Sequence, residues 1–204
     1  MDKHIIINIG RQFGSGGKQV ATALGERLGI AVYDRELLIK AAEKSGLSEA
    51  LFKQTDERRS YLKLGGLFGA PQYGDFSGNM LGDGDLFKIQ SETIRDLASQ
   101  GSAIFVGRAS DYVLRDLKTL DVFVSAPIEM RKKNIVERLG ISLEDAEDLI
   151  RKKDRRRKDY YDLITMGDNW GVAANYDLCI DASILGIEGS ADYIISFGKA
   201  AGRI

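Results

Sequence analysis

Cysteine is almost absent: Cys179 stands alone among 204 residues. No disulfide within the chain can hold this fold, which fits a reducing, cytoplasmic setting. In its context, Tyr-Asp-Leu-Cys-Ile, the thiol reads as part of a buried strand, packing as a small hydrophobe. Long apolar runs are missing as well. Ile5-Ile6-Ile7 near the N-terminus falls far short of a signal segment or a bilayer span, so no membrane partner is expected. Charge of one sign is missing too: 29 Lys and Arg face 30 Asp and Glu. No overall field draws the chain to nucleic acid, and only local clusters of charge carry information. What remains has 44% hydrophobic and 29% charged residues, an ordinary globular balance. Its length suits a single domain over 1–204, long enough to bury a core, and no internal repeat is visible.

Short β-rich runs alternate with longer helical patterns. The strand candidates are Ile5–Ile9, Ile30–Tyr33, Ala103–Val106, Asp121–Val124 and Leu178–Ile180. Between them, apolar residues recur at three- and four-residue spacing, as in Val20, Ala21, Leu24 and Leu28. This alternation predicts an α/β fold, a five-stranded parallel sheet with helices on both faces. Two stretches break the rhythm. Leu64–Gly84 is rich in glycine and holds Pro71, Phe68, Tyr73 and Phe76, the composition either of a mobile loop whose aromatics close on something or of an ill-ordered insertion. Arg151–Tyr161 carries seven cations in eleven residues.

The most informative segment follows the first strand: Gly10-Arg11-Gln12-Phe13-Gly14-Ser15-Gly16-Gly17-Lys18, then a helical pattern. Glycines let successive backbone N–H groups turn inward as a nest for phosphate oxygens, and the next helix adds its N-terminal partial charge. Lys18 is placed to reach terminal phosphates as a point charge. The strict G-x-x-x-x-G-K-[ST] form is met only in part. Gln12 stands at its first glycine, and Gln19 at its magnesium-ligating hydroxyl. A dinucleotide reading competes: Gly14-Ser15-Gly16 opens a G-x-G-x-x-G, and Asp34 lies at a strand end where a ribose-binding acid belongs. Gln19 replaces the third glycine of that motif, and the cluster at 151–161 has no purpose in it.

Two further strand ends carry charge. Asp34, Arg35 and Glu36 follow Ile30–Tyr33, where Asp34 can cap a helix beginning at Arg35, meet a ligand, or do both. Gly107-Arg108 follows Ala103–Val106, and an arginine behind a glycine at that edge is suited to a bidentate phosphate grip. The basic stretch at 151–161 is either a solvated face or a mobile helix that neutralises charge on a transferred phosphoryl group.

In order along nearly the whole chain, these segments resemble the cytidylate kinase-like family, a branch of the P-loop nucleoside monophosphate kinases. The resemblance rests on Gly14-Ser15-Gly16-Gly17-Lys18, Tyr33-Asp34-Arg35-Glu36-Leu37, Val106-Gly107-Arg108, Val122 to Pro127, Asp154 to Tyr161 and Tyr176 to Ser183. It implies a three-layer P-loop kinase fold with an acceptor-binding insert at about 35–96 and a basic lid at about 139–171. It also implies ATP with Mg2+ as donor and a CMP-like acceptor. Lys18 with Gly14, Ser15, Gly16, Gly17 and Gln19 would hold ATP. Asp34, Arg35, Arg108 and Asp154 would meet the acceptor, and Lys18, Arg108, Arg151 and Arg157 would carry catalysis. No protein side chain is assigned to the metal. The expected partners are small nucleotides, and the expected state a monomer or weak homodimer. Departures from the family pattern fall at Val106, where an acid precedes the Gly-Arg, and at Gln19 and Val20, where a hydroxyl follows the lysine. They leave room for a nucleotide-binding regulatory protein without turnover.

Overall fold

The structure, a computed structural model, describes residues 4–44, 80–167 and 170–204. Five parallel strands form one sheet: β1 (Ile6–Arg11), β2 (Ala31–Tyr33), β3 (Ala103–Val106), β4 (Leu120–Ser125) and β5 (Leu178–Asp181). Their order across the sheet is β2-β3-β1-β4-β5. All five expected strands are present, with ends moved by at most two residues. Seven described helices connect or flank them: α1 (Gly17–Leu28), α2 (Arg35–Lys44), α3 (Met80–Gln100), α4 (Ser110–Val113), α5 (Ile128–Leu139), α6 (Leu143–Thr165) and α7 (Ala182–Ala200). A 3-10 turn covers Ala173–Asn175. None of the described helices is long and apolar enough to cross a membrane.

Strand alternation explains the layering. Ile7 and Ile9 of β1 face one side with Ile104, Val106, Val122 and Val124, and α1 and α7 cover them through Val20, Leu24, Ala191 and Ile194. Ile6, Ala103 and Phe105 face the other side, under Leu38 of α2, Ile94 and Ala98 of α3, and Val113 of α4. A third, smaller core joins α5 and α6 through Ile135, Ala146 and Ile150. Ser142 starts α6 by accepting the Asp145 N–H on its hydroxyl.

Two expectations change. Cys179 is exposed rather than buried. It lies on edge strand β5, and alternation turns Leu178 and Ile180 into the core and Cys179 to the opposite face. Partial burial still pushes its thiol up. The glycine-rich stretch also ends differently, because residues 80–84 belong to α3 rather than to a loop. Its remainder, including Phe68, Tyr73 and Phe76, lies outside the described residues, as does the insert between α2 and α3.

Candidate active site

The C-terminal ends of β1, β2 and β3 converge on one edge, where order reverses around β1 and ligands bind in open parallel sheets. After β1 the loop turns through Gly14 (φ 82°) and Gly16 (φ 86°), both in the left-handed region that glycine tolerates. Gln12 ties the loop to β4: its N–H donates to the Val124 carbonyl at 3.1 Å, and its Oε1 accepts the Ala126 N–H at 3.2 Å. The buried Ser15 hydroxyl donates to the Gln12 and Val124 carbonyls, so it braces the loop from below. Gly17, Lys18 and Gln19 open α1, where amides have no intrahelical acceptor and attract an anion.

Lys18 and Asp34 meet. Lys18 Nζ is 2.7 Å from Asp34 Oδ2, with the lysine side chain 67% exposed. Asp34 Oδ1 accepts the Glu36 and Leu37 N–H groups at 3.1 Å, so one carboxylate both caps α2 and pairs a cation. Burial alone would raise this carboxyl; the Lys18 and helix hydrogen bonds outweigh it and hold it below its ordinary value. Arg35 and Gln19 lie exposed beside this pair along the chain.

At the end of β3 three residues in a row adopt positive φ: Gly107 (74°), Arg108 (63°) and Ala109 (51°). Such a run in two non-glycine residues stores about 1–3 kcal/mol per residue, and strain of this kind gathers at functional sites. It lifts Arg108 off the strand end and sets its guanidinium 5.3 Å from the Tyr160 ring centroid.

The expected lid is α6, and it docks on the loop through residues of alternate turns. Asp154 Oδ1 accepts the Phe13 N–H at 2.7 Å, and its Oδ2 takes Arg131 Nη1 at 2.5 Å. Arg157 Nη1 donates to the Arg11 carbonyl at 3.0 Å. Phe13 lies under the guanidinium groups of Arg138 and Arg157. Farther along, the Tyr160 hydroxyl reaches Gln90 of α3, and the Tyr161 hydroxyl donates to Asp111 at 2.7 Å. Arg151 differs: it is 71% exposed and pairs with Glu147 on the outer face of α6.

Electrostatics single out the same edge. Arg157 and Arg108 lie close enough to act on Arg11, and Arg108 acts on Arg157 as well. Burial, then Arg157 and Arg108, pull Arg11 down to about 9, with Asp34 opposing. Burial is also the largest cause lowering Arg157, opposed by Asp154 and reinforced by Arg108. Beside them, burial raises Asp111 to about 6 against the Tyr161 hydrogen bond. Crowded cations beside orphan helix amides are chemically able to hold phosphate oxygens. The metal is less well served. Gln19 offers no hydroxyl, and no cluster of three metal-ligating side chains occurs among the described residues.

Sequence reading thus located Lys18, Asp34, Arg108, Asp154 and Arg157 on one edge and set Arg151 there too, where the helix phase turns it away. It gave Arg11 and Phe13 no role, noted Gln12 only as a departure from the motif, and gave no role to Arg131, Tyr160 or Asp111. Arg11 was the detectable one, as an arginine at the last position of the first strand.

A parallel sheet in this order, a glycine loop into α1 and a basic helix over the loop define a P-loop kinase fold. The dinucleotide alternative does not survive: there the second strand neighbours the first, whereas here β3 separates β2 from β1. The chain belongs to the cytidylate kinase-like family, whose model it matches over residues 6–184. Cytidylate kinase of Methanopyrus kandleri is 26% identical, over 97% of this chain and 92% of that protein. A crystal structure of an uncharacterized protein from Eubacterium ventriosum aligns with TM-score 0.74 at 26% identity, covering 97% of this chain and 99% of that one. Shikimate kinases from Acinetobacter baumannii and Bacteroides thetaiotaomicron share the fold alone. Their TM-scores are 0.51 and 0.53 at 13% and 12% identity, over 98% and 96% of this chain and 95% and 98% of theirs.

Proposed function

We propose that this protein transfers the γ-phosphoryl group of ATP to a nucleoside monophosphate of the CMP kind. The observation that carries the reading is the convergence of Arg108 and Arg157 with the orphan amides of α1 on one sheet edge. The relative named cytidylate kinase supports the acceptor class.

In this reading the amides of Gly16 to Gln19, with Lys18 at the mouth, hold the donor phosphates. Arg108 receives the acceptor phosphate as a planar fork, its backbone already strained into position. Asp34, at the end of β2, faces the acceptor nucleoside, with Arg35 next to it. Arg157 neutralises charge on the equatorial oxygens during transfer, and Asp154 keeps the lid on the loop. No general base is required, because an acceptor phosphate oxygen is already anionic and positioning carries the chemistry. Magnesium, when bound, would supply charge neutralisation on the donor phosphates. Asp34 is the carboxylate beside Lys18 that a hydrated ion would meet.

The test is coupled detection of ADP with ATP, Mg2+ and a panel of nucleoside monophosphates. ADP formation dependent on one of them is expected, with pyrimidine monophosphates foremost. ATP binding without turnover on any of them would replace the kinase with a nucleotide-binding regulatory protein.

A further inference from the structure

We infer that Arg11 is the cation that grips phosphate oxygens at the junction between the glycine loop and the end of β3, through a slot opened by Gly17 and Gly107. This rests on the phosphate-binding reading of the edge and adds to it a residue that the glycine-lysine motif does not name.

The slot is visible as missing side-chain volume. A Cβ on Gly17 would lie 2.5 Å from Arg11 Cβ and 3.1 Å from its Cγ, and a Cβ on Gly107 would lie 1.7 Å from Arg11 Nη1 and 2.8 Å from its Cζ. The arginine stem therefore runs along the bare face of the first residue of α1, and its fork lies against the bare backbone that follows β3. A side chain at either glycine would displace it. The inward face of the first helical turn belongs to Gly17, so Lys18, one residue and about 100° farther round, points outward to Asp34 at 2.7 Å.

Buried guanidinium groups require an anion, and among the described residues no carboxylate is paired with this fork. Asp34 acts on it from beyond ion-pair distance, and its stronger influences are the like charges of Arg157 and Arg108. Its depressed affinity for a proton is the expected result of burial among like charges, and a bound phosphate would reverse it. The strand end, the loop and the lid helix hold this cation in place: β1 carries it, and Arg157 of α6 donates to its own carbonyl. A fork held in place before a ligand arrives loses little entropy on binding.

The experiment compares wild type, Arg11→Met, Arg11→Lys and Lys18→Met, titrating each with sodium tripolyphosphate and with ATP by calorimetry and thermal shift. Arg11→Met should melt at or above the wild-type temperature without ligand, since one of three crowded cations is gone. It should lose about tenfold to a hundredfold in affinity for both probes, the worth of a charge-assisted hydrogen-bonded fork. Lys18→Met should lose less than Arg11→Met. Arg11→Lys, which keeps stem and charge but not the fork, should lose about three- to tenfold, and it serves if the methionine variant does not fold. Unchanged affinity in both Arg11 variants overturns the inference, as does a wild type that binds neither probe. A wild type that binds tripolyphosphate but not ATP, with the loss at Arg11 intact, supports Arg11 as the phosphate grip while removing ATP as donor.

Discussion

Replacing Asp154 by Ala should weaken this fold substantially, because the residue ties α6 to the loop after β1. The carboxylate is 16% exposed and its partner Arg131 is 10% exposed, so the pair sits largely out of water. Among the described residues Arg131 has one carboxylate within reach, a long 3.4 Å hydrogen bond to the Phe13 carbonyl, and a buried Nε without a partner. Removing Asp154 leaves that guanidinium uncompensated, which costs about 3–5 kcal/mol for a buried pair. It also orphans the Phe13 N–H, a loss of roughly 1–3 kcal/mol that overlaps with the first. A net loss of about 3–5 kcal/mol is expected, read as a lower urea midpoint with an unchanged slope. For a domain of this size that corresponds to a fall of roughly 10 °C in melting temperature. Asp154→Asn keeps an acceptor for Phe13 and should lose less, and the Arg131→Met, Asp154→Ala double variant should recover part of the loss. Arg151→Ala, on the exposed face of the same helix, should leave the midpoint unchanged. A loss below about 1 kcal/mol for Asp154→Ala would refute the claim that this residue fastens α6 to the loop.

Three other outcomes follow from the same geometry. Arg108→Gly relaxes a positive-φ residue by about 1 kcal/mol, so unfolding assays should show equal or greater stability while turnover falls a hundredfold or more; undiminished turnover would remove Arg108 from the acceptor site. Asp111 has a folded carboxyl raised from 3.8 to about 6, so its contribution favours the fold at low pH and fades as pH rises through that window, by at most about 3 kcal/mol at neutrality. Asp111→Asn keeps an acceptor for Tyr161 and should flatten the stability profile between pH 4 and 7, which urea titrations across that range would measure; an unaltered profile would place the titration elsewhere. Lys18→Met should lower ATP turnover well beyond any effect on melting temperature, and an unchanged rate would leave Lys18 only its surface pair with Asp34.

Much of the framework was legible because period-two apolar runs and period-3.6 patterns alternate cleanly here. β3, four buried residues bounded by Ser102 and Gly107, was read with both ends correct. The edge itself was legible for a different reason: charged residues that directly follow apolar strands must lie at strand ends, which fixed Asp34 and Arg108. Contacts set by helix phase and tertiary packing were not legible. Whether Gly17 or Lys18 faces inward depends on where α1 begins, and one residue rotates the answer by about 100°. Arg151 and Arg157 look alike in a run of cations, yet one pairs with Glu147 in solvent and the other reaches the carbonyl of Arg11. The Asp154 clamp joins positions 141 residues apart, and nothing local signals it. Cys179 was misjudged because its apolar neighbours suggested a strand covered on both faces, while β5 is an edge strand.

The central claim is that this site moves a phosphoryl group between two bound phosphates. The most direct measurement is a single-turnover reaction of excess protein with γ-32P-labelled ATP, Mg2+ and CMP, resolved by chromatography. Label should leave ATP and appear in a nucleoside diphosphate formed from the acceptor, with other monophosphates assayed alongside. Label that stays on ATP, or that is released only as inorganic phosphate with every acceptor, would contradict it.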